Sequence, residues 1–176
     1  MRNDPALPSS SRMLTRYLTD IEQMLDEQHG DAALRDAFDL PRIAVALTDP
    51  QLQYSGERLK TWCEQWIGPS VDEPPAGGLD YERVGRSVSE QVTREEGAAE
   101  SNRVPTRALR RLQLRRHVRA APRGFSILRS ENLAPQQAET VDICTALVEA
   151  ARRWYARSAC HDTTVQANLT RLAVLR

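Results

Sequence analysis

The sequence predicts an all-α fold, an irregular bundle of six to eight helices that divides into two small lobes. Three observations predict it. Every strongly periodic segment repeats its apolar residues at three- and four-residue steps, the signature of a helix with one buried face. Residues that cap or break helices punctuate those segments. The one short apolar stretch that reads as a strand or packed turn, Phe125, Ile127 and Leu128, has no strand partner elsewhere in the sequence.

Residues 1–11 are polar, contain Pro5 and Pro8, and read as a flexible arm ending in three serines able to cap a helix. An acidic helical lobe is expected over 12–68. Its first helix carries Met13, Leu14, Tyr17, Leu18, Ile21, Met24 and Leu25 on one face, with Gly30 as a left-handed cap. Asp31 is expected to cap a short second helix with Leu34, Ala37 and Phe38. Pro41 is expected to stop it and open another short segment with Ile43, Ala46 and Leu47. Asp49-Pro50 is a turn signal. Leu59, Trp62, Cys63, Trp66 and Ile67 then follow the helical template up to Gly68 and Pro69.

Residues 69–79, rich in Pro and Gly, form the main break in the chain. The C-terminal lobe is expected over 80–176. Asp80 caps a helix with a narrow stripe of Tyr81, Val84, Val88 and Val92. That width suits a surface helix, and these residues form a candidate protein interface and a route to a weak homodimer. After a loop, Thr106 caps an Arg-rich helix over 106–120, ended by Pro122 and Gly124. Pro135 opens the longest helix, with Val141, Cys144, Leu147, Val148, Ala151, Trp154 and Tyr155. Asp162 caps the last, with Val165, Leu169 and Leu172.

Charge is the most informative functional feature. Residues 1–100 hold 10 Arg/Lys against 19 Asp/Glu, and residues 101–176 hold 14 against 5, so the formal net charge of zero sums two opposed halves. Arg107, Arg110, Arg111, Arg115, Arg116 and Arg119 form a candidate anion- or partner-binding segment inside the acid-free stretch 103–123. On a helical wheel these side chains encircle the axis, whereas a groove-binding helix keeps one apolar and one basic face. That favours pairing with acids of the same protein, either between the lobes or in 72–100, or contact with another protein. Nucleic acid, RNA ahead of DNA, is the second reading.

Other features carry less. Trp62 and Trp66, at i and i+4, read chiefly as core and otherwise as anchors for a partner. Cys160-His161-Asp162 lacks the paired ligands a zinc site needs, and reads as a loop running into an N-cap. No catalytic residues, metal ligands or cofactor are assigned, because neither the metal and nucleophile motifs nor a phosphate-cradling loop occur. Three widely spaced cysteines read as reduced thiols, and no apolar run approaches the roughly 20 residues that span a bilayer. The expectation is a cytoplasmic, non-enzymatic accessory, adaptor or regulatory protein acting through protein contacts. The alternatives are a nucleic-acid-binding regulator using 103–123 and, more weakly, a small enzyme with an unmarked site.

Overall fold

The computed structural model describes residues 9–68, 79–96, 106–114 and 135–174. Among these residues the chain forms seven α-helices and no strand: α1 (Ser9–Asp26), α2 (Gly30–Leu47), α3 (Gly56–Trp66), α4 (Tyr81–Glu96), α5 (Thr106–Leu114), α6 (Pro135–Trp154) and α7 (Thr163–Val174). A π-helical turn, Tyr155–Ala159, prolongs α6. The all-α prediction holds. Residues 1–8 of the N-terminal arm, the 69–78 break, the start of the Arg-rich segment and 115–134 lie outside the described residues.

Helix α2 organises the bundle. It packs most extensively against α6 and also touches α1, α3, α5 and α7. Every residue from Asp39 to Leu47 is buried. A helix covered all round is a central element rather than a surface one. The sequence reading broke this helix at Pro41, but the structure runs it through without a break. Proline removes one backbone donor and crowds the preceding turn. Tight packing around residues 40–47 holds the helical backbone in spite of that.

The junction before α2 also differs from expectation. The left-handed residue is Gln28 (φ 62°), not Gly30. The N–H of His29 donates to the carbonyl of Met24 (2.8 Å) and that of Gln28 to the carbonyl of Leu25 (3.0 Å), the paired bonds of a Schellman ending. Gly30 instead opens α2, where an added Cβ would stand 3.3 Å from Thr140 Cγ2 on α6. Its missing side chain serves the close approach of two helices. Asp31 lies in the first turn, and the N-cap position is His29, which makes no side-chain capping bond.

Among the other caps, Asp80 and Asp162 stand where the sequence placed them, and Ser55 adds one it did not single out. Ser55 Oγ accepts from Arg58 N (3.3 Å) at the start of α3. Asp80 Oδ1 accepts from Arg83 N (3.0 Å) before α4. Asp162 Oδ1 accepts from Thr164 N (2.8 Å) and Val165 N (3.0 Å) before α7. One contiguous core joins residues from both sides of the 69–78 break, from Met13 and Leu59 to Val84, Leu147 and Leu172.

Candidate functional site

The Arg-rich helix does meet acids of its own chain. Arg111 Nη1 lies 3.0 Å from Asp36 Oδ1 and 2.9 Å from Asp39 Oδ2. Both of these carboxylates lie on α2. Arg42 Nη1 contacts Asp39 Oδ1 at 3.2 Å, so two carboxylates and two guanidiniums share one site. Asp36 and Arg42 are each 5% exposed and Asp39 is 9% exposed. Burial raises the Asp39 carboxyl above its ordinary range, and the two arginines offset only part of that rise. Around this knot Leu112 is buried and Leu109 partly buried, while Gln113 Nε2 donates to the carbonyl of Leu172 on α7 (3.1 Å). Arg110 faces solvent. Arg107 lies in α5, with its side chain outside the described residues, as are Arg115, Arg116 and Arg119 altogether.

The sequence reading missed Asp36 and Asp39. The signal was present: two acids at i and i+3 interrupt the apolar face of α2 formed by Ala33, Ala37, Leu40 and Ile43. Acids set into such a stripe need a cationic partner when the stripe is buried.

The valine stripe of α4 is not a free surface. Val84 is 2% and Val88 1% exposed, covered where α4 packs on α3 and α6. Tyr81 is partly buried, and the side chain of Val92 lies outside the described residues. Two apolar helix faces close over the stripe because it is the one hydrophobic strip α4 offers. Val84 and Val88 of the expected interface thus face the core.

The two tryptophans of α3 divide between core and surface. Trp62 is 5% exposed and meets Trp154 edge to face, with ring centroids 6.5 Å apart. Trp66 is partly buried. Together the three indoles line an open groove of about 500 Å³. Val45 of α2 and Thr48 just after it also line the groove. Glu57, Arg58, Thr61 and Gln65 run along α3, and Ser158 comes from the π turn. Arg58 is fixed by Asp49 Oδ2 (3.1 Å) and Thr48 Oγ1 (2.8 Å). Backbone N–H donors of Gln51 and Gln53, with Arg58 beside them, hold the Asp49 carboxyl below its ordinary range. The indole N–H of Trp62 is buried and has no hydrogen-bond partner among the described residues. An unmet buried donor of this kind costs about 1–3 kcal/mol. Trp154, read from the sequence only as core, also belongs to this wall.

The π turn brings Ser158 to the groove. The N–H of Cys160 reaches back to the carbonyl of Tyr155 (2.9 Å), and Gln166 Nε2 donates to the carbonyl of Ala159 (2.9 Å), satisfying an acceptor at the end of the widened turn. Such turns recur at functional sites. Cys160 is partly exposed and donates its thiol to the Ala156 carbonyl (3.1 Å), while His161 is exposed. No cluster of metal-ligating side chains occurs among the described residues. Cys63 and Cys144 are buried, and burial pushes both thiols up to about 12, which keeps them protonated at neutral pH. No helix among the described residues is long and apolar enough to cross a membrane.

No protein-family model, curated protein or solved structure matches this chain. The class it defines is therefore that of its architecture, an all-α bundle centred on α2.

Proposed function

We propose that this chain is a non-enzymatic adaptor or regulatory protein that works by binding a protein partner, and that the groove along α3 is where the partner docks. The observation that carries the reading is the groove wall: Trp62, Trp66 and Trp154 beside a guanidinium already fixed in place. Tryptophan and arginine are enriched among the few interface residues that dominate affinity. A rigid Arg58 loses little side-chain freedom on binding, which favours association.

The test is capture from native extract, with and without nuclease, by the full chain and two variants. Trp66→Ala truncates the half-buried indole, and Gln65→Arg adds bulk and charge at the exposed rim without touching the core. A partner that survives nuclease and is lost from both variants, with melting temperatures retained, is the expected result. Weakening of at least about thirtyfold is expected for a central aromatic anchor. Equal capture by all three proteins, or loss of all capture on nuclease treatment, overturns the reading.

A further inference from the structure

The α3 side of the open groove is built from two rows of residues at four-residue steps, the spacing that stacks side chains on one helix face. Arg58, Trp62 and Trp66 form one row, and Glu57, Thr61 and Gln65 form the other. The rise per helical residue puts Glu57 and Trp66 roughly 13 Å apart along the axis. The groove is therefore charged where α3 begins and aromatic toward its end.

Glu57 and Arg58 are the charged residues of the lining, and they are not equivalent. Arg58 pairs with Asp49 (3.1 Å) and also donates to Thr48 Oγ1 (2.8 Å), so its charge is already compensated. The Glu57 carboxylate is exposed and pairs with no cation among the described residues. Lys60, one turn further on, lies 3.9 Å from Glu64 instead. Thr61 Oγ1 donates to the backbone carbonyl of Glu57 (3.0 Å) and leaves the carboxylate untouched. Thr61, Gln65 and Ser158 add hydrogen-bonding groups to the lining but no charge. Among the described residues, the groove thus presents an uncompensated negative charge at one end and a half-buried indole at the other.

We infer that the partner of this groove is a basic, apolar peptide segment, whose Lys or Arg side chain pairs with Glu57 while a large apolar side chain packs on Trp66. The inference rests on the reading of the groove as a docking site, and adds the sign of the partner's charge and the residue that reads it. Opposite charges face each other across specific interfaces, and like charges brought together there are penalised. A long basic side chain suits this lining for a second reason. Its methylene stem lies along apolar surface while its charged end stays in water. An acidic segment would meet Glu57 and find Arg58 already taken. The separation also sets the spacing of the two anchors, about four residues in an extended segment or about nine in a helical one.

The test pans a library of random dodecapeptides on the full chain and discards those that also bind Trp66→Ala. The remaining sequences should carry a Lys or Arg together with a large apolar residue. For a selected peptide, Glu57→Gln should weaken binding about threefold, the scale of an exposed ion pair. Glu57→Lys should weaken it at least about tenfold, and replacing the peptide's basic residue by Glu should restore binding to that variant. Thermal melts confirm that the variants stay folded. Glu57→Gln, which keeps the shape of the side chain, decides the question should Glu57→Lys unfold. Trp66-dependent peptides without a basic residue, unchanged binding by the folded Glu57 variants, or no recovery on swapping the charges overturns the inference and leaves the docking groove standing. A library with no Trp66-dependent binder overturns the docking groove itself, and the inference with it.

Discussion

Asp39 sits between two guanidiniums at 9% exposure, and its carboxyl is still raised above the ordinary 3.8 because burial outweighs Arg42 and Arg111. The folded state therefore holds a proton on Asp39 more tightly than the unfolded chain does. Its contribution to stability is greatest at low pH and is lost as pH rises through the folded-state value. The ionised knot consequently stabilises the fold little, yet breaking it is costly, as is general for buried ion pairs. The two signs of charge are not equivalent here. Arg111 keeps a quarter of its side chain in water (26%), whereas the acids are almost wholly enclosed. Removing Arg111 strands negative charge inside, while removing Asp39 leaves Arg111 a charge that water can still reach but also takes a carboxylate from buried Arg42. Arg111→Met should then destabilise by about 2 kcal/mol, a fall in melting temperature of about 4–8 °C at neutral pH. Adding Asp39→Asn to that variant should restore about half of the loss, and acidifying the single variant toward pH 4 should restore stability as well. Thermal melts of the single and double variants check this. A double variant less stable than Arg111→Met alone would show that Asp39 is not the stranded charge.

The elements show which signals in the sequence carry structural information and which need the fold. Periodicity located α1, α3, α4, α6 and α7, because each buries one stripe against the bundle and exposes the rest. Local capping chemistry was equally legible: Ser55 was not singled out, but Asp80 and Asp162 cap where the sequence placed them. Helix α2 was misread because its proline is a local signal overridden by burial on every side, and burial is set by helices distant in sequence. Gln28 was missed for a related reason, since a left-handed residue that is not glycine carries no composition cue. Of the candidate sites, the Trp66 groove was half visible as an i, i+4 pair, while Asp36, Asp39 and Arg111 became neighbours only through tertiary packing. The end of α2 shows this dependence in one side chain. Asn168 of α7, 4% exposed, donates through Nδ2 to the carbonyls of Leu47 (3.0 Å) and Asp49 (2.8 Å), capping α2 from another helix. Asn168→Leu takes the side-chain donor from the Leu47 carbonyl and one of two donors from the Asp49 carbonyl, which keeps the N–H of Leu52 (2.9 Å), and should cost about 1–2 kcal/mol, read as a lower urea midpoint with an unchanged slope.

On the scale of the whole molecule, the break at 69–79 divides the sequence while the core does not divide there. Val84 and Val88 from beyond the break pack with α3 from before it, and Trp154 meets Trp62 across the same boundary. Charge follows the same logic: Glu22 pairs with Arg152 (2.7 Å) and Asp36 with Arg111, each joining the acidic half to the basic half. These contacts predict that both halves unfold together. The cysteines can report it, since they lie on either side of the break. Cys63 on α3 and Cys144 on α6 are buried, with thiols near 12, and only a thiolate reacts with an alkylating reagent. At pH 8 about one part in 10⁴ of such a thiol is ionised in the folded state, and burial blocks access as well. Partly exposed Cys160 should label first under native conditions. In a urea series Cys63 and Cys144 should then become reactive with one shared midpoint, because no subset of helices can expose one without opening the core that covers the other. Cys63 labelling at lower urea than Cys144 would mean that the acidic lobe opens on its own. The 69–79 segment would then separate two folding units, and the pairs between halves would be contacts between docked domains rather than bonds within one.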